Sequence, residues 1–113
     1  MVILLEKGYV HLYFGEGLSQ LPIAAGIALR ARGAGLLTGH FKNFNSELPK
    51  ITKDFEMYDM IILDGCDGIC ENTLTNFIAN RPKNTELVLT AKSFSNNIIE
   101  MADLVSTILE VRG

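Results

Sequence analysis

Residues able to do chemistry follow apolar stretches in this chain, and the first group forms a glycine-rich loop. The segment FGEGLSQLP (residues 14–22) carries Gly15 and Gly17 between an alternating apolar run and a helical one. Such a loop binds phosphate when backbone N–H groups converge on an anion at a helix start, a lysine neutralises charge and a Ser or Thr hydroxyl holds Mg²⁺. The two glycines therefore indicate a backbone suited to phosphate.

The polar side chains of this loop do not complete a phosphate site. Ser19 and Gln20 follow the second glycine, and the loop contains no lysine. Gln20 can donate a hydrogen bond, but a neutral hydrogen bond is roughly half as strong as a charge-assisted one. Glu16 adds repulsion toward any phosphate that no metal screens. The candidate ligand of this loop is accordingly a small anion or a nucleotide, held without the usual cation.

A second group of candidates follows the later strands. In open parallel sheets, ligands bind beyond the carboxyl ends of the strands. The charged residues found there are Lys42, Asp64, Asp67, Glu71 and Lys92. Asp64 ends the most apolar strand, where a carboxylate can hold a water-bridged Mg²⁺ or can instead cap the helix that follows. Both interpretations of Asp64 remain open at this stage.

Cysteines and histidines offer weaker signals. Cys66 and Cys70 are four residues apart and are the only two cysteines of the chain, which favours buried or half-buried free thiols over a disulfide framework or a zinc site. A soft-metal site that includes Asp67 is the minor alternative. His11 and His40 are expected to be partly exposed sheet residues.

The elements that must position these residues alternate between strand and helix. Apolar alternation and β-branched runs predict strands over residues 9–14, 36–41, 58–64, 86–90 and 104–111. Helical spacing predicts helices over residues 20–32, 71–80 and 93–103 and a short amphipathic segment over 47–55, with Gly33 as a left-handed terminator and a serine cap on the last helix. The opening residues 2–14 are expected to add a hairpin. We predict one α/β domain over residues 1–113, three-layered and with a mostly parallel sheet.

Composition narrows the function classes. The net charge is −3, with 48% hydrophobic and 20% charged residues, and the basic residues are scattered. That distribution lacks the basic patch by which proteins bind nucleic acid. The apolar runs are too short to cross a bilayer, and the first residues do not have the pattern of a signal peptide. We expect a cytoplasmic protein without a nucleic-acid or membrane partner.

Four segments resemble, in order, the P-loop type of cob(I)alamin (ATP:corrinoid) adenosyltransferases. YFGEGLSQLPIAAGIALRARGAG (13–35) is similar to the family's strand, G-x-G-K-G-K-T-T loop, Ala-rich helix and R-A-x-G-x-G turn. YDMIILD (58–64) is similar to its strand ending in L-D-E, and NRPKNTELVLTAK (80–92) to its R-P-x-x-x-E-L-V-L-T-G-R segment. IIEMADLVSTILEV (98–111) is similar to the helix and strand that carry A-D-L-V-T-E-M. The resemblance implies a P-loop NTPase-like (RecA-like) topology, Mg²⁺-ATP as cosubstrate, a corrinoid as acceptor and often a homodimer.

Carried over position by position, the resemblance implies which residues would form the site. Its cofactor-binding positions fall on Gly15, Glu16, Gly17, Ser19, Gln20, Thr90 and Lys92, and its metal position falls on Asp64. The departures from the family fall mainly on the residues that would carry the chemistry. Leu18, Ser19, Gln20, Leu21 and Pro22 stand where the family has K-G-K-T-T, Gly65 replaces the acidic residue after Asp64, and Ala91 and Lys92 replace Gly and Arg.

The residues that specify the fold are thus kept, while those that bind triphosphate are lost together. The leading expectation is a degenerate family member with weak or no ATP-dependent transfer, no required cofactor, and a binding or interaction role as a homodimer. An alternative is an active transferase with an altered site, in which Glu16, Asp64 and Lys92 surround a metal or a smaller anion. A third hypothesis is a purely structural subunit that self-associates through an apolar patch.

Overall fold

Five parallel strands form one sheet in the computed structural model of the chain, which describes residues 8–15, 23–42 and 45–107. The strands are β1 Val10–Phe14, β2 Thr38–Lys42, β3 Met60–Asp64, β4 Glu86–Ala91 and β5 Leu104–Thr107. Their spatial order is β2-β3-β4-β1-β5, and every neighbouring pair is parallel. The predicted α/β class with a parallel sheet is therefore confirmed.

Helices cover both faces of the sheet. They are α1 Ile23–Gly33, α2 Leu48–Lys53, α3 Glu71–Ala79 and α4 Asn96–Met101, with single 3₁₀ turns at Asn45–Glu47 and Phe55–Met57. Ala24, Ala28 and Ala31 of α1 pack against Met60, Ile62 and Val88 on one face. Residues of α2, α3 and α4 pack on the opposite face against the alternate strand positions, including Leu12, Ile61, Leu63 and Leu89. The predicted three layers are confirmed.

Local chemistry explains where the elements begin and end. Ser95 caps α4, because its Oγ accepts the Ile98 N–H at 3.4 Å, as the serine-capped prediction requires. The first helix ends at Gly33, but the left-handed residue lies at Gly35, with φ of 87°, so Gly33 is not the terminator predicted. The Leu36 N–H returns to the Ala31 carbonyl at 3.0 Å, which delays the start of β2 until Thr38, two residues after the predicted start.

Two further predictions concern the ends of the chain. The first strand of the predicted hairpin lies in residues 1–7, outside the described residues. Strand β1 pairs with β4 along residues 10–14 and with β5 along residues 11–14. Both edges of β1 are therefore occupied over residues 11–14, and a hairpin strand could not pair with it there. The predicted continuation of β5 beyond Thr107 also lies outside the described residues. Among the helices that are described, none combines the length and the apolar character needed to span a membrane.

Candidate functional site

The carboxyl ends of three strands bring a small group of polar side chains together on the α1 side of the sheet. In the β2–β3 ladder Lys42 lies opposite Asp64, and His40 lies opposite Ile62, which belongs to the α1 side. Because side chains two residues apart on a strand share a face, His40, Lys42 and Asp64 point to the same side. Thr90 on β4 completes the group by contacting Asp64. We call these four residues the Asp64 cluster.

Both oxygens of the Asp64 carboxylate already have partners within this cluster. Thr90 Oγ1 donates to Asp64 Oδ1 at 2.9 Å, and His40 Nε2 donates to Oδ2 at 3.1 Å, since an ionised carboxylate only accepts. Lys42 Nζ lies 3.9 Å from the same Oδ2. The carboxylate is therefore contacted by N–H groups from β2 and by an O–H group from β4, the strands on either side of it.

Thr90 also fixes the turn that follows β3. Its Oγ1 accepts the Gly65 N–H at 2.9 Å, and its carbonyl accepts the Cys66 N–H at 2.7 Å. Gly65 has φ of 86°, a left-handed conformation that glycine adopts without strain. Thr90 is only 3% exposed, so these bonds are shielded from water. One buried threonine thus ties the metal candidate and its turn to the neighbouring strand.

A comparison with known protein families matches residues 38–113 to the family described as ATP:corrinoid adenosyltransferase BtuR/CobO/CobP. This chain belongs to the ATP:corrinoid adenosyltransferase family. The matched residues include Asp64, Thr90 and Lys92, whereas the glycine-rich loop lies before them. No curated protein matches the chain.

Two solved structures have a similar fold. AMPPCP-bound DnaA from Aquifex aeolicus superposes with a TM-score of 0.57 and 11% identity over 88% of this chain. PCH-2 from C. elegans superposes with a TM-score of 0.55 and 12% identity over 89% of this chain. The chain spans 40% of the DnaA structure and 35% of the PCH-2 structure. At these identities the likeness supports the P-loop NTPase-like fold and nothing finer.

The remaining predicted site residues of this adenosyltransferase-family chain have mixed outcomes. Gly15 is buried, and its N–H points to the Ala91 carbonyl at 3.4 Å, while Glu16, Gly17, Ser19 and Gln20 lie outside the described residues. The exposed Lys92 is positioned through its backbone, because its N–H donates to Asp67 Oδ1 at 2.7 Å. Within the described ranges, the salt-bridge partners of Asp64 are His40 and Lys42, and Lys92 is not among them.

The structure excludes the capping interpretation of Asp64. The helix α3 begins at Glu71, and the residue at its N-cap is Cys70, so Asp64 does not cap that helix. His40 is the residue that sequence reasoning missed. It was expected to be a partly exposed sheet residue, and only the register of β2 against β3 shows that its ring reaches Asp64.

Cys66 and Cys70 are free thiols, but they differ in exposure. Cys66 is 3% exposed, and burial raises the pKa of its thiol to about 12. Cys70 is exposed, so the prediction of buried or half-buried thiols is right for the first and wrong for the second. In the portion of the chain that the structure describes, no three His, Cys, Asp or Glu side chains are arranged to hold a metal, which argues against the soft-metal alternative there.

The carboxylates beyond Asp64 serve the loops at this edge of the sheet. Side-chain hydrogen bonds from Ser95 and Asn97 lower the pKa of the Glu71 carboxyl, and Asn97 Nδ2 donates to Glu71 Oε2 at 3.0 Å. Together with Asp67, Glu71 lines a cavity of about 190 Å³ beside Cys66 and Phe94. Asp67 connects the loops after β3 and β4 by accepting the Lys92 N–H, and Glu71 connects the start of α3 to α4. Neither carboxylate reaches the Asp64 cluster through a hydrogen bond found in the described residues.

Members of this family use Mg²⁺-ATP and a corrinoid, and the resemblance places the metal position at Asp64. Mg²⁺ binds oxygen ligands in near-octahedral geometry. Around Asp64 the neighbouring groups are instead an imidazole nitrogen, an ammonium and a hydroxyl that donates to the carboxylate. The Asp64 cluster therefore does not fit a divalent cation as it stands.

Proposed function

We propose that this member of the ATP:corrinoid adenosyltransferase family has weak or no ATP-dependent adenosyl transfer and acts by binding or interaction. The observation that carries the proposal is the sequence of the loop after β1. Leu18, Ser19, Gln20, Leu21 and Pro22 stand where the family motif has K-G-K-T-T. The substitutions remove both lysines, the hydroxyl that holds Mg²⁺ and one backbone N–H together.

The expected loss of affinity is large. Removing one partner of a buried charged contact commonly costs about 2 to 5 kcal/mol, which is roughly one to four decades in dissociation constant. Several such contacts are absent here, so ATP binding should be millimolar or weaker. The donors around Asp64 also support this proposal, because Mg²⁺ would have to compete with them for the carboxylate.

Thermal unfolding with Mg²⁺-ATP tests the proposal. A ligand at a hundred times its dissociation constant stabilises a protein by about 2.7 kcal/mol, which shifts Tm by roughly 10 °C for a domain of this size. We expect no shift for the wild-type chain at millimolar Mg²⁺-ATP. A clear shift would instead favour the active transferase with an altered site, in which Glu16, Asp64 and Lys92 take part.

A restored loop provides the positive control. The variant L18K/S19G/Q20K/L21T/P22T recreates the family motif on the same scaffold. We expect it to bind Mg²⁺-ATP more tightly than the wild type, whereas a four-substitution version that keeps Gln20 should gain much less. Equal behaviour of the wild type and the restored variant would show that the loop is not what limits nucleotide binding.

The interaction role is proposed to involve a second copy of the chain, bound at strand β5. Within the described sheet β5 is an edge strand, paired with β1 alone, and Leu104 and Val105 are 53% and 43% exposed. The strand Leu104–Thr107 has no charge and no proline, two devices by which edge strands avoid pairing. Antiparallel pairing of two such strands about a two-fold axis places no like charges opposite each other.

Light scattering after size-exclusion chromatography tests this dimer. The wild type should have twice the mass of the 12.5 kDa chain, and Val105→Lys should reduce it to the monomer. Leu29→Lys is the matched control, because Leu29 is 73% exposed on α1, away from β5. A monomeric wild type, or a dimer unaffected by Val105→Lys, would rule out this interface.

A further inference from the structure

Two basic side chains of strand β2 lie beside one oxygen, Oδ2, of the Asp64 carboxylate. His40 and Lys42 are alternate residues of β2, so they share a face, and the parallel register brings that face to Asp64. His40 Nε2 lies 3.1 Å from Asp64 Oδ2, and Lys42 Nζ lies 3.9 Å from the same oxygen. The second oxygen, Oδ1, accepts the hydroxyl proton of Thr90 at 2.9 Å.

We infer that His40, assisted by Lys42, takes the place of a divalent cation at Asp64, so that this carboxylate excludes Mg²⁺. A carboxylate that binds Mg²⁺ directs oxygen lone pairs at the metal or at a water bound to it. In this cluster each oxygen already accepts one donor, the His40 N–H at Oδ2 and the Thr90 hydroxyl at Oδ1. A bound cation would also have to approach an ammonium that lies beside Oδ2.

His40 has the larger share of this role, and its burial is the reason. The His40 side chain is 15% exposed, whereas the Lys42 side chain is 67% exposed. A long exposed ammonium moves away from a carboxylate at little cost, but an imidazole packed on a strand cannot leave without disturbing the sheet. The donor at Oδ2 is therefore part of the folded framework.

A second pair on the same face follows the same design. His11 on β1 lies opposite Val88, which is on the α1 side, and His11 Nε2 is 2.8 Å from Glu86 Oε2 on β4. In both pairs an imidazole on one strand meets a carboxylate on another, close to the sheet surface. The His11–Glu86 pair lies near the amino ends of β1 and β4, away from the candidate site. An imidazole–carboxylate pair between strands is therefore a feature of the sheet in general, and at Asp64 it coincides with the candidate metal position.

The inference goes beyond the proposed function, because it concerns the metal position and not the phosphate loop. Its test accordingly contains no nucleotide. Mn²⁺ is added to ¹⁵N-labelled protein, and paramagnetic broadening of the Gly65 and Cys66 amides, which adjoin Asp64, reports binding at that carboxylate. We expect no selective broadening of these amides in the wild type.

The variant H40A/K42A should admit the metal. The same two amides should broaden at Mn²⁺ concentrations at least about tenfold lower than any that affect the wild type, because the N–H donor at Oδ2 and the ammonium beside it are gone. Adding Asp64→Asn should abolish this broadening. Lys53→Ala is the control, since it removes an exposed lysine of α2, which packs on the face of the sheet opposite the Asp64 cluster, and it should behave like the wild type.

Two results would overturn the inference. One is selective broadening in the wild type that Asp64→Asn removes, which would mean that the carboxylate binds metal despite His40. The other is a folded H40A/K42A protein, judged by its dispersed amide spectrum, whose Gly65 amide is no more sensitive to Mn²⁺ than that of the wild type. If H40A/K42A fails to fold, H40L/K42M carries the same expectation, because leucine and methionine fill space at these positions without offering an N–H donor to Asp64. Failure of either kind would leave the Mg²⁺-ATP result of the wild type unaffected.

Discussion

Thr90→Val removes one hydroxyl and with it two hydrogen bonds at the candidate site. Thr90 Oγ1 donates to Asp64 Oδ1 and accepts the Gly65 N–H, both at 2.9 Å. Valine has nearly the same shape as threonine, so the substitution leaves no cavity at this buried position. Its effect on the free energy of unfolding therefore reports the two bonds and little else.

The size of the effect follows from the charge and exposure of the partners. A hydrogen bond to a charged group contributes about 1.5–3 kcal/mol, and a neutral one about 1 kcal/mol. The Asp64 side chain is 28% exposed, so water replaces part of the lost bond and the first contribution falls toward its lower limit. We expect Thr90→Val to lower the free energy of unfolding by about 2–3 kcal/mol.

Urea denaturation followed by circular dichroism measures this change, with Thr85→Val as the matched control. Thr85 is also 3% exposed, but its Oγ1 makes one neutral bond, to the Tyr58 carbonyl at 3.1 Å. That control should cost about 1 kcal/mol. Thr90→Ser, which keeps the hydroxyl, should lose only the burial of one methyl, about 0.8 kcal/mol. A Thr90→Val effect no larger than that of Thr85→Val would refute the idea that Thr90 anchors Asp64 and its turn.

Two further predictions concern buried titratable groups. His11→Ala should destabilise the fold by about 3 kcal/mol, because it leaves the Glu86 carboxylate, whose side chain is 9% exposed, without its partner. Adding Glu86→Gln should recover part of this loss. The urea midpoints of the two single variants and of the double variant measure the loss and its recovery. For the buried Cys66 thiol, whose pKa is raised from 9.0 to about 12, the unfolded chain loses its proton first, so its contribution to stability is complete below pH 9 and declines as the pH rises toward 12. Above pH 9 the free energy of unfolding of the wild type should fall more steeply with pH than that of Cys66→Ala, and a thiol reagent should label Cys70 but not Cys66 in the native protein. Equal pH slopes for the two proteins, or equal labelling of the two thiols, would contradict the burial argument.

Most of the fold could be predicted from local pattern. The run Met60–Leu63 is apolar at every position, which a central strand covered on both faces requires, and β3 lies between β2 and β4. The spacing of Leu74, Phe77 and Ile78 likewise predicted α3 and its buried face. The predicted element boundaries were wrong where a backbone hydrogen bond to a neighbouring element set them. The Leu36 N–H bonds to the Ala31 carbonyl in the last turn of α1, so β2 begins later than predicted.

The candidate site was predictable only in part. Asp64 was found because it ends an apolar strand, and strand ends are visible in a sequence. Thr90 was named only through the resemblance of residues 80–92 to a segment of the family. The role of His40 could not be predicted, because it depends on which residue of β2 lies beside which residue of β3. A register shifted by one residue would turn His40 to the opposite face of the sheet.

The sequence by itself determined the α/β class, the family and the absence of lysine and threonine from the glycine-rich loop, because each of these is a matter of residue type at a position along the chain. Only the tertiary structure decided that Asp64 meets an imidazole, an ammonium and a hydroxyl from two neighbouring strands. The physical reason is that charge neutralisation depends on distances of a few ångströms between residues 22 to 26 positions apart, and the sheet register alone sets those distances.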